Sequence, residues 1–357
     1  MEAEAKRGYA GRFGPGLPAA SDGQMLFLLT AISKMKEPKD GGSRIAIIHN
    51  GSPLFTGDAG SGPSEIRKYI LEHDMLEAII ALPNDIFYNT GIATYIWVLS
   101  NNKAGTRREG KVQLINANGL YEKRRKALGN KRNDIPESAI QEITRLYGDF
   151  AESEISKIFD NWDFGFTKIT VERPLRYNYS TAEERIQRLS EPDVLDDMRG
   201  FGEYNPPYKL WQQALRTIDQ AKVFDNRTAF YNEVKHAMDL AGLSEYMVDF
   251  GIVEQFCREE DDTSEIVLKR GKPVPSTAKR DTENVPLKED IQTYFEREVL
   301  PFDPDAWIDE KKSKVGYEIP FTRYFYNYEA PKPSAEIMRE ILAIEAELEG
   351  ALKEIFA

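Results

Sequence analysis

The chain has one cysteine, Cys257, and three histidines, His49, His73 and His236, in 357 residues. A lone cysteine excludes an internal disulfide framework and a thiolate zinc cluster, and scattered histidines leave no multi-histidine centre, so no metal site is expected. No apolar run approaches the roughly 18 residues of a membrane span. The opening residues, Met1 to Gly8, hold no apolar leader core. Neither a membrane span nor secretion is supported, and a cytoplasmic protein is expected. Glycine (25) and proline (19) are near average, hydrophobic residues make 41% and charged residues 30%, which excludes collagen-like and disordered classes. The length suits about two domains of about 150 residues.

A net charge of −12 argues against nucleic-acid binding over the whole surface, but the charge is uneven. Between Lys103 and Arg132 ten Lys or Arg stand against two Glu, a local +8 that leaves −20 for the remainder. The densest part, Lys123, Arg124, Arg125 and Lys126, lies between Gly119 and Gly129 and reads as a loop or a loosely held helix. It is either a solvated surface segment or a phosphate-contacting one, since clustered cations release counterions from a nucleic-acid backbone.

Residues 1–20 read as a loop entering the fold. Ser21 and Asp22 supply a cap for a helix with Met25, Leu28, Leu29, Ile32 and Met35 on one face. Arg44 to Ile48 is a short apolar run that suits a strand buried on both faces, as are Met75 to Leu82 and Thr94 to Leu99. Ser64 is the expected cap of a helix from Glu65 to His73. A strand at Val112 to Ile115 is followed by a helix expected over Pro136 to Phe159, then further helices over Ala182 to Leu189, Tyr208 to Ala221 and Phe230 to Leu240. Lys269 to Pro286 is polar and reads as a linker. From Ser334 onward, Ile337, Ile341, Ile344, Leu348, Ala351 and Ile355 form the seam of a long amphipathic helix.

Several groups of residues invite chemistry. Gly57, Gly60 and Gly62 stand between a strand and a helix, where backbone amides can hold phosphate. No Gly-Lys-Ser/Thr follows, and a plain connection explains them. Asn205-Pro206-Pro207-Tyr208 has the letters of the Asn-Pro-Pro-Tyr/Phe signature of amino-methyltransferases. It follows no apolar strand, however, and also reads as an N-cap and first-turn proline. Cys257 sits among acidic residues that disfavour a thiolate. His49 either faces a cleft at the end of its strand or packs inside. The strongest signal is the loop from Pro83 to Ala93, where Phe87 and Tyr88 follow a buried strand. Both rings fold into the core, or they offer a stacking platform for a base or aromatic ligand, worth about 1–3 kcal/mol per base.

The segments from Gly41 to Asp58 (GGSRIAIIHNGSPLFTGD), Glu77 to Val98 (EAIIALPNDIFYNTGIATYIWV), Tyr294 to Pro301 (YFEREVLP) and Lys314 to Phe325 (KVGYEIPFTRYF) resemble the modification subunit of type I restriction-modification systems. The resemblance implies an adenine-specific DNA methyltransferase that uses S-adenosylmethionine and works on DNA with a specificity subunit and a restriction subunit. In such enzymes the helical N-terminal domain, the glycine-containing donor motif and a strand-borne Asn-Pro-Pro-Phe would all precede Met1. The expectation is therefore an α/β chain: the C-terminal part of a Rossmann-like methyltransferase sheet followed by a mainly helical extension. The expected division is 21–120 for the methyltransferase half, 121–268 for the basic loop and helical region, 269–286 for the linker and 287–357 for an extension ending in the amphipathic helix. By the same resemblance Phe87 or Tyr88 lies against a flipped adenine. Lys123, Arg124, Arg125 and Lys126 are the DNA-backbone candidates. The chain alone is expected to bind no S-adenosylmethionine and to be inactive, and the alternative is a non-catalytic assembly or DNA-clamping module.

Overall fold

The computed structural model describes residues 2–189, 208–326, 328 and 330–356. They divide into two compact units, one formed by residues 1–164 with 317–357 and the other by residues 165–316. The units meet along the chain at 164/165 and 316/317.

In the first unit, helix α1 (Gln24–Ile32) buries Met25, Leu28, Leu29 and Ile32, the face its apolar spacing requires. It lies against strand β1 (Arg44–Asn50). After β1, α2 (Gly62–Glu72) leads into β2 (Leu76–Leu82) and β3 (Thr94–Ser100). Next come β4 (Lys111–Asn116), the two-stranded pair β5 (Glu122–Leu128) and β6 (Lys131–Asp134), α3 (Glu137–Asp149) and β7 (Ser156–Asp160). Five strands form one mixed sheet in the order β1-β3-β2-β4-β7. Strand β3 runs antiparallel to both neighbours, with Trp97 opposite Ile47 of β1 and Ile79 of β2, while β2 and β4 are parallel, with Ile79 opposite Leu114.

Position in that sheet decides burial. Every residue of central β2 is buried, including Glu77, whose carboxylate accepts from Arg44 at 3.1 Å and from the Tyr147 hydroxyl at 2.5 Å. A charge at that depth persists only when paired. On one face Ala78, Ile80, Leu82, Val98 and Ile115 join Leu146 of α3 in a core that Phe87 and Ile143 also pack against. Strand β1 departs from the expectation of burial on both faces: among the described residues it pairs with β3 alone, and its residues alternate in exposure, leaving Ile48 half in water.

Two further expectations change. Ser64 is not a cap; helix α2 begins earlier, with Pro63 in its first turn, and the buried Ser64 hydroxyl accepts from the Tyr317 N–H at 2.9 Å. Nearby, the buried Arg67 donates to the carbonyls of Tyr317, Pro53 and Thr56 at 2.5, 3.0 and 3.0 Å, which pins the returning segment. The helix expected to reach Phe159 stops at Asp149, where Phe150 takes a left-handed φ of 48°. Ile158 and Phe159 instead lie in β7, because the open side of β4 offers ladder partners that outweigh local helical spacing.

In the second unit, β8 (Gly165–Glu172) is followed by β9 (Tyr177–Ser180) and α4 (Glu183–Arg188). Then come α5 (Tyr208–Leu215), β10 (Val223–Phe224), α6 (Arg227–Leu240), α7 (Phe250–Cys257) and β11 (Arg258–Glu260). Strand β12 (Asp281–Pro286), α8 (Ile291–Glu298) and β13 (Trp307–Ile308) complete it. Trp211, Tyr179, Phe230, Val234 and Cys257 anchor a helical core. A second core gathers Ile169, Val171, Val285 and Phe295. The expected linker over 269–286 contains β12, paired with β8 over six positions from Asp281–Val171 to Pro286–Phe166. The unit is thus mixed α/β, and not mainly helical.

The last helix, α9 (Ser334–Phe356), has the expected register, and Ile337, Ile341, Ile344 and Leu348 on its seam are 43–64% exposed. Among the described residues no helix is long and apolar enough to cross a membrane.

Candidate nucleic-acid interface

Strand β2 ends at Leu82, and the loop that follows is built to hold two aromatic side chains differently. Asp85 takes a left-handed φ of 58°, and Gly91 lies so close that a Cβ there would sit 2.5 Å from the Asp85 carboxylate. Ile86 is buried, Phe87 is half-buried against the β2–β4 core, and Tyr88 is 61% exposed. The two rings offered by the sequence as equals therefore separate into a packing ring and a free one.

The basic segment is neither a loop nor a helix. It is β5 of a hairpin whose two turn residues are Gly129 and Asn130, with Leu128 opposite Lys131. Gly-Asn between two strand-forming runs is a hairpin signal that a reading by charge alone passes over. The hairpin is tied to the aromatic loop by main chain. Asn130 N–H donates to the Tyr88 carbonyl at 2.9 Å, Arg132 and Asn133 N–H both donate to the Asp85 carbonyl at 2.9 and 3.1 Å, and Asn133 Nδ2 donates to Asn84 at 3.0 Å. Gly129 has φ 59°, and its Cβ position would fall 2.6 Å from the Tyr88 oxygen, so only glycine permits this approach.

Docking brings the ring and the cations together and sorts the cations. Lys131, absent from the expected set, places its ammonium 5.7 Å from the Tyr88 ring centre. Asp134 forms ion pairs with Lys131, at 2.9 Å, and with Arg124, and these hold its carboxyl below the usual range, Lys131 first. Arg124 is thereby neutralised. Among the described residues Lys123, Arg125, Lys126 and Arg132 have no carboxylate in ion-pair reach. The arrangement is an exposed aromatic face beside several uncompensated cations, which suits a planar base attached to phosphate.

The other candidates resolve differently. His49 is buried, edge-on to Trp97 at 6.0 Å, and burial pushes its imidazole down to about 4, against the Asp22 carboxylate. It is a packed histidine. Gly62 lies against the backbone of Leu17, so the space its missing side chain frees is filled by the chain itself and cradles no phosphate. Cys257 is buried, and burial raises its thiol to about 12 against the opposing pull of Arg185 and Arg188, so burial and not an acidic setting disfavours the thiolate. Asn205, Pro206 and Pro207 lie outside the described residues. Among the described residues no group of three or more His, Cys, Asp or Glu is placed to hold a metal ion.

Residues 3–171 match the sequence profile of the family described as N-6 DNA Methylase. Two methylase subunits from Methanocaldococcus jannaschii are similar: that of the type I restriction enzyme MjaIX, 27% identical over 52% of this chain and 30% of its own length, and that of MjaVII, 31% identical over 45% and 29%. The methyltransferase subunit of a type I restriction-modification system from Streptococcus thermophilus, a solved structure, is 26% identical over 45% of this chain and 32% of that chain, with a TM-score of 0.38. The chain spans about 30% of the length of the curated relatives it matches. Residues 3–171 are thus similar to the N-6 DNA methylase family, and the similar curated proteins are methylase subunits of type I restriction enzymes.

Proposed function

We propose that the chain is the C-terminal part of a type I restriction-modification DNA methyltransferase subunit. The complete subunit transfers a methyl group from S-adenosylmethionine to the amino group of adenine in DNA, alongside a specificity subunit and a restriction subunit. In this reading the chain supplies the target-base platform and backbone contacts. Tyr88 stacks on the flipped adenine while Lys123, Arg125, Lys126 and Arg132 neutralise nearby phosphates. The observation that carries the reading is the hairpin turn seated on the Tyr88 carbonyl, which couples ring and cations in one rigid unit.

The methyl donor does not fit the residues present. In the connection after β1 that carries Gly57, Gly60 and Gly62, Gly62 is packed against Leu17, so no donor-binding step is assigned to it. The sheet also supports a partial fold. Strand β1 is at an edge yet carries Ile45, Ala46, Ile47 and Ile48, whereas stable edges are usually blunted by charge or proline. A Rossmann-like sheet continued past β1 by a strand from the donor-binding half accounts for that composition.

One observation favours the non-catalytic alternative for the isolated chain. The uncovered seam of α9 suits docking against helices of a specificity subunit. The test is calorimetry of the chain with S-adenosylmethionine, then transfer of labelled methyl to DNA by the chain alone and by a complete subunit containing it. We expect no heat and no transfer from the chain alone, and transfer by the complete subunit that falls on Tyr88→Ala. Stoichiometric micromolar binding to the chain alone overturns the reading.

A further inference from the structure

At the end of β2 opposite the Tyr88 loop, about 20 Å away across seven residues of strand, lies a cleft of about 250 Å³. It is lined by Glu72, Asp74, Glu109, Asn161, Trp162 and Tyr317. Its charges do not cancel. Asp74 accepts from the buried Lys103 ammonium at 2.5 Å, from Asn161 Nδ2 at 2.8 Å and from the Gly110 N–H at 3.0 Å, so that carboxylate is matched. Glu72 accepts from the Tyr317 hydroxyl at 3.0 Å and Glu109 from the Gly105 N–H at 2.8 Å, both neutral donors. Among the described residues neither glutamate has a cation in ion-pair reach.

A second observation is independent of the acidic groups. Asn161 is buried, its Nδ2 is committed to Asp74 and to the Leu71 carbonyl at 2.9 Å, and its Oδ1 has no partner. A buried acceptor left empty is costly, and native structures usually fill it. Beside it Trp162 is 53% exposed, a large aromatic face left in water.

We propose that this cleft receives a guanidinium group, the side chain of an arginine presented by a partner protein. The net negative charge repels phosphate, and the volume suits one side-chain head and not a nucleotide. A guanidinium supplies planar, forked donors for carboxylates and for a carbonyl oxygen, and a weakly hydrated face that stacks on indole. A metal ion satisfies the charges but leaves the indole without a role, and the carboxylates are not grouped to ligate one.

The test is titration of the full chain, labelled with nitrogen-15 in tryptophan, with N-acetyl-arginine amide. N-acetyl-citrulline amide serves as the neutral isostere and N-acetyl-lysine amide as the point charge. Trp162→Phe assigns the indole resonance. We expect a saturable shift of the Trp162 signal with the arginine compound, none with citrulline and a weaker one with lysine. Combining Glu72→Gln with Glu109→Gln keeps an acceptor oxygen at each position while removing the charge, and should weaken binding about tenfold or more at an unchanged melting temperature. No saturable shift, an equal shift with citrulline or lysine, or unchanged affinity in the double variant overturns the proposal.

Discussion

The N–H of Asn130 donates to the carbonyl of Tyr88 at 2.9 Å, so the tip of the basic hairpin and the exposed ring share a main-chain bond. A side chain on the loop and charges on the hairpin are thereby held in one geometry, which neither segment fixes alone.

Gly129→Ala should break that junction. The new Cβ meets the Tyr88 oxygen, and φ 59° strains any L side chain, so a loss of about 1–2 kcal/mol is expected. Chemical denaturation checks the stability, and faster amide exchange at Asn130 and Arg132 checks the location.

Substituting the two aromatics should separate their roles. In the complete subunit Tyr88→Ala is expected to reduce methylation by the equivalent of about 1–3 kcal/mol with little loss of stability. Phe87→Ala is expected to lower the melting temperature, because its ring packs on the β2–β4 core. Rates and melting curves measured on both variants decide it. Full activity in Tyr88→Ala refutes the stacking role.

Changing Lys123, Arg125 and Lys126 together to Glu should weaken DNA binding by the complete assembly and flatten its salt dependence. The slope of log affinity against log salt falls by about 0.9 for each phosphate that is no longer neutralised. Arg124→Gln should have less effect, since Asp134 already neutralises that side chain. An unchanged slope returns the segment to a solvated surface.

His49 should make stability fall in acid. Its folded pKa is about 4 against 6.5 in the unfolded chain, so the unfolded state binds the extra proton between those values. Stability is intact above pH 6.5 and declines as pH falls toward 4, by about 1–2 kcal/mol once solvent screening is allowed for. Urea denaturation across this window should show the slope, and His49→Gln should remove it.

Removing the chain after Pro333 should leave the melting temperature unchanged, because the seam of α9 through Ile341 and Leu348 is uncovered in this chain. Co-purification with the specificity subunit should be abolished. A lower melting temperature with retained co-purification assigns the helix to this chain's own core and refutes docking.

The sequence by itself determined the elements whose apolar spacing is unambiguous: the buried run of β2, the face of α1, the register of α9, and the local excess of positive charge around Lys123 to Lys126. It also carried the family resemblance, because segments such as Glu77 to Val98 are continuous in the chain. The tertiary structure decided what depends on partners distant in sequence. Ile158 and Phe159 fit a helix by spacing and became strand only because β4 had a free edge to pair with. Arg124 looked equal to its neighbours until hairpin pairing set Asp134 beside it. Phe87 and Tyr88 are adjacent and alike, yet Phe87 packs on the core beneath the loop and Tyr88 is left to solvent. Glu72, Glu109 and Asn161 share a cleft though they span about ninety positions of chain, because the pairing of β2 with β4 and of β4 with β7 draws the ends of those strands together. Local spacing encodes which face of an element is apolar; which charges are matched and which rings are covered is settled only when packing chooses the neighbours.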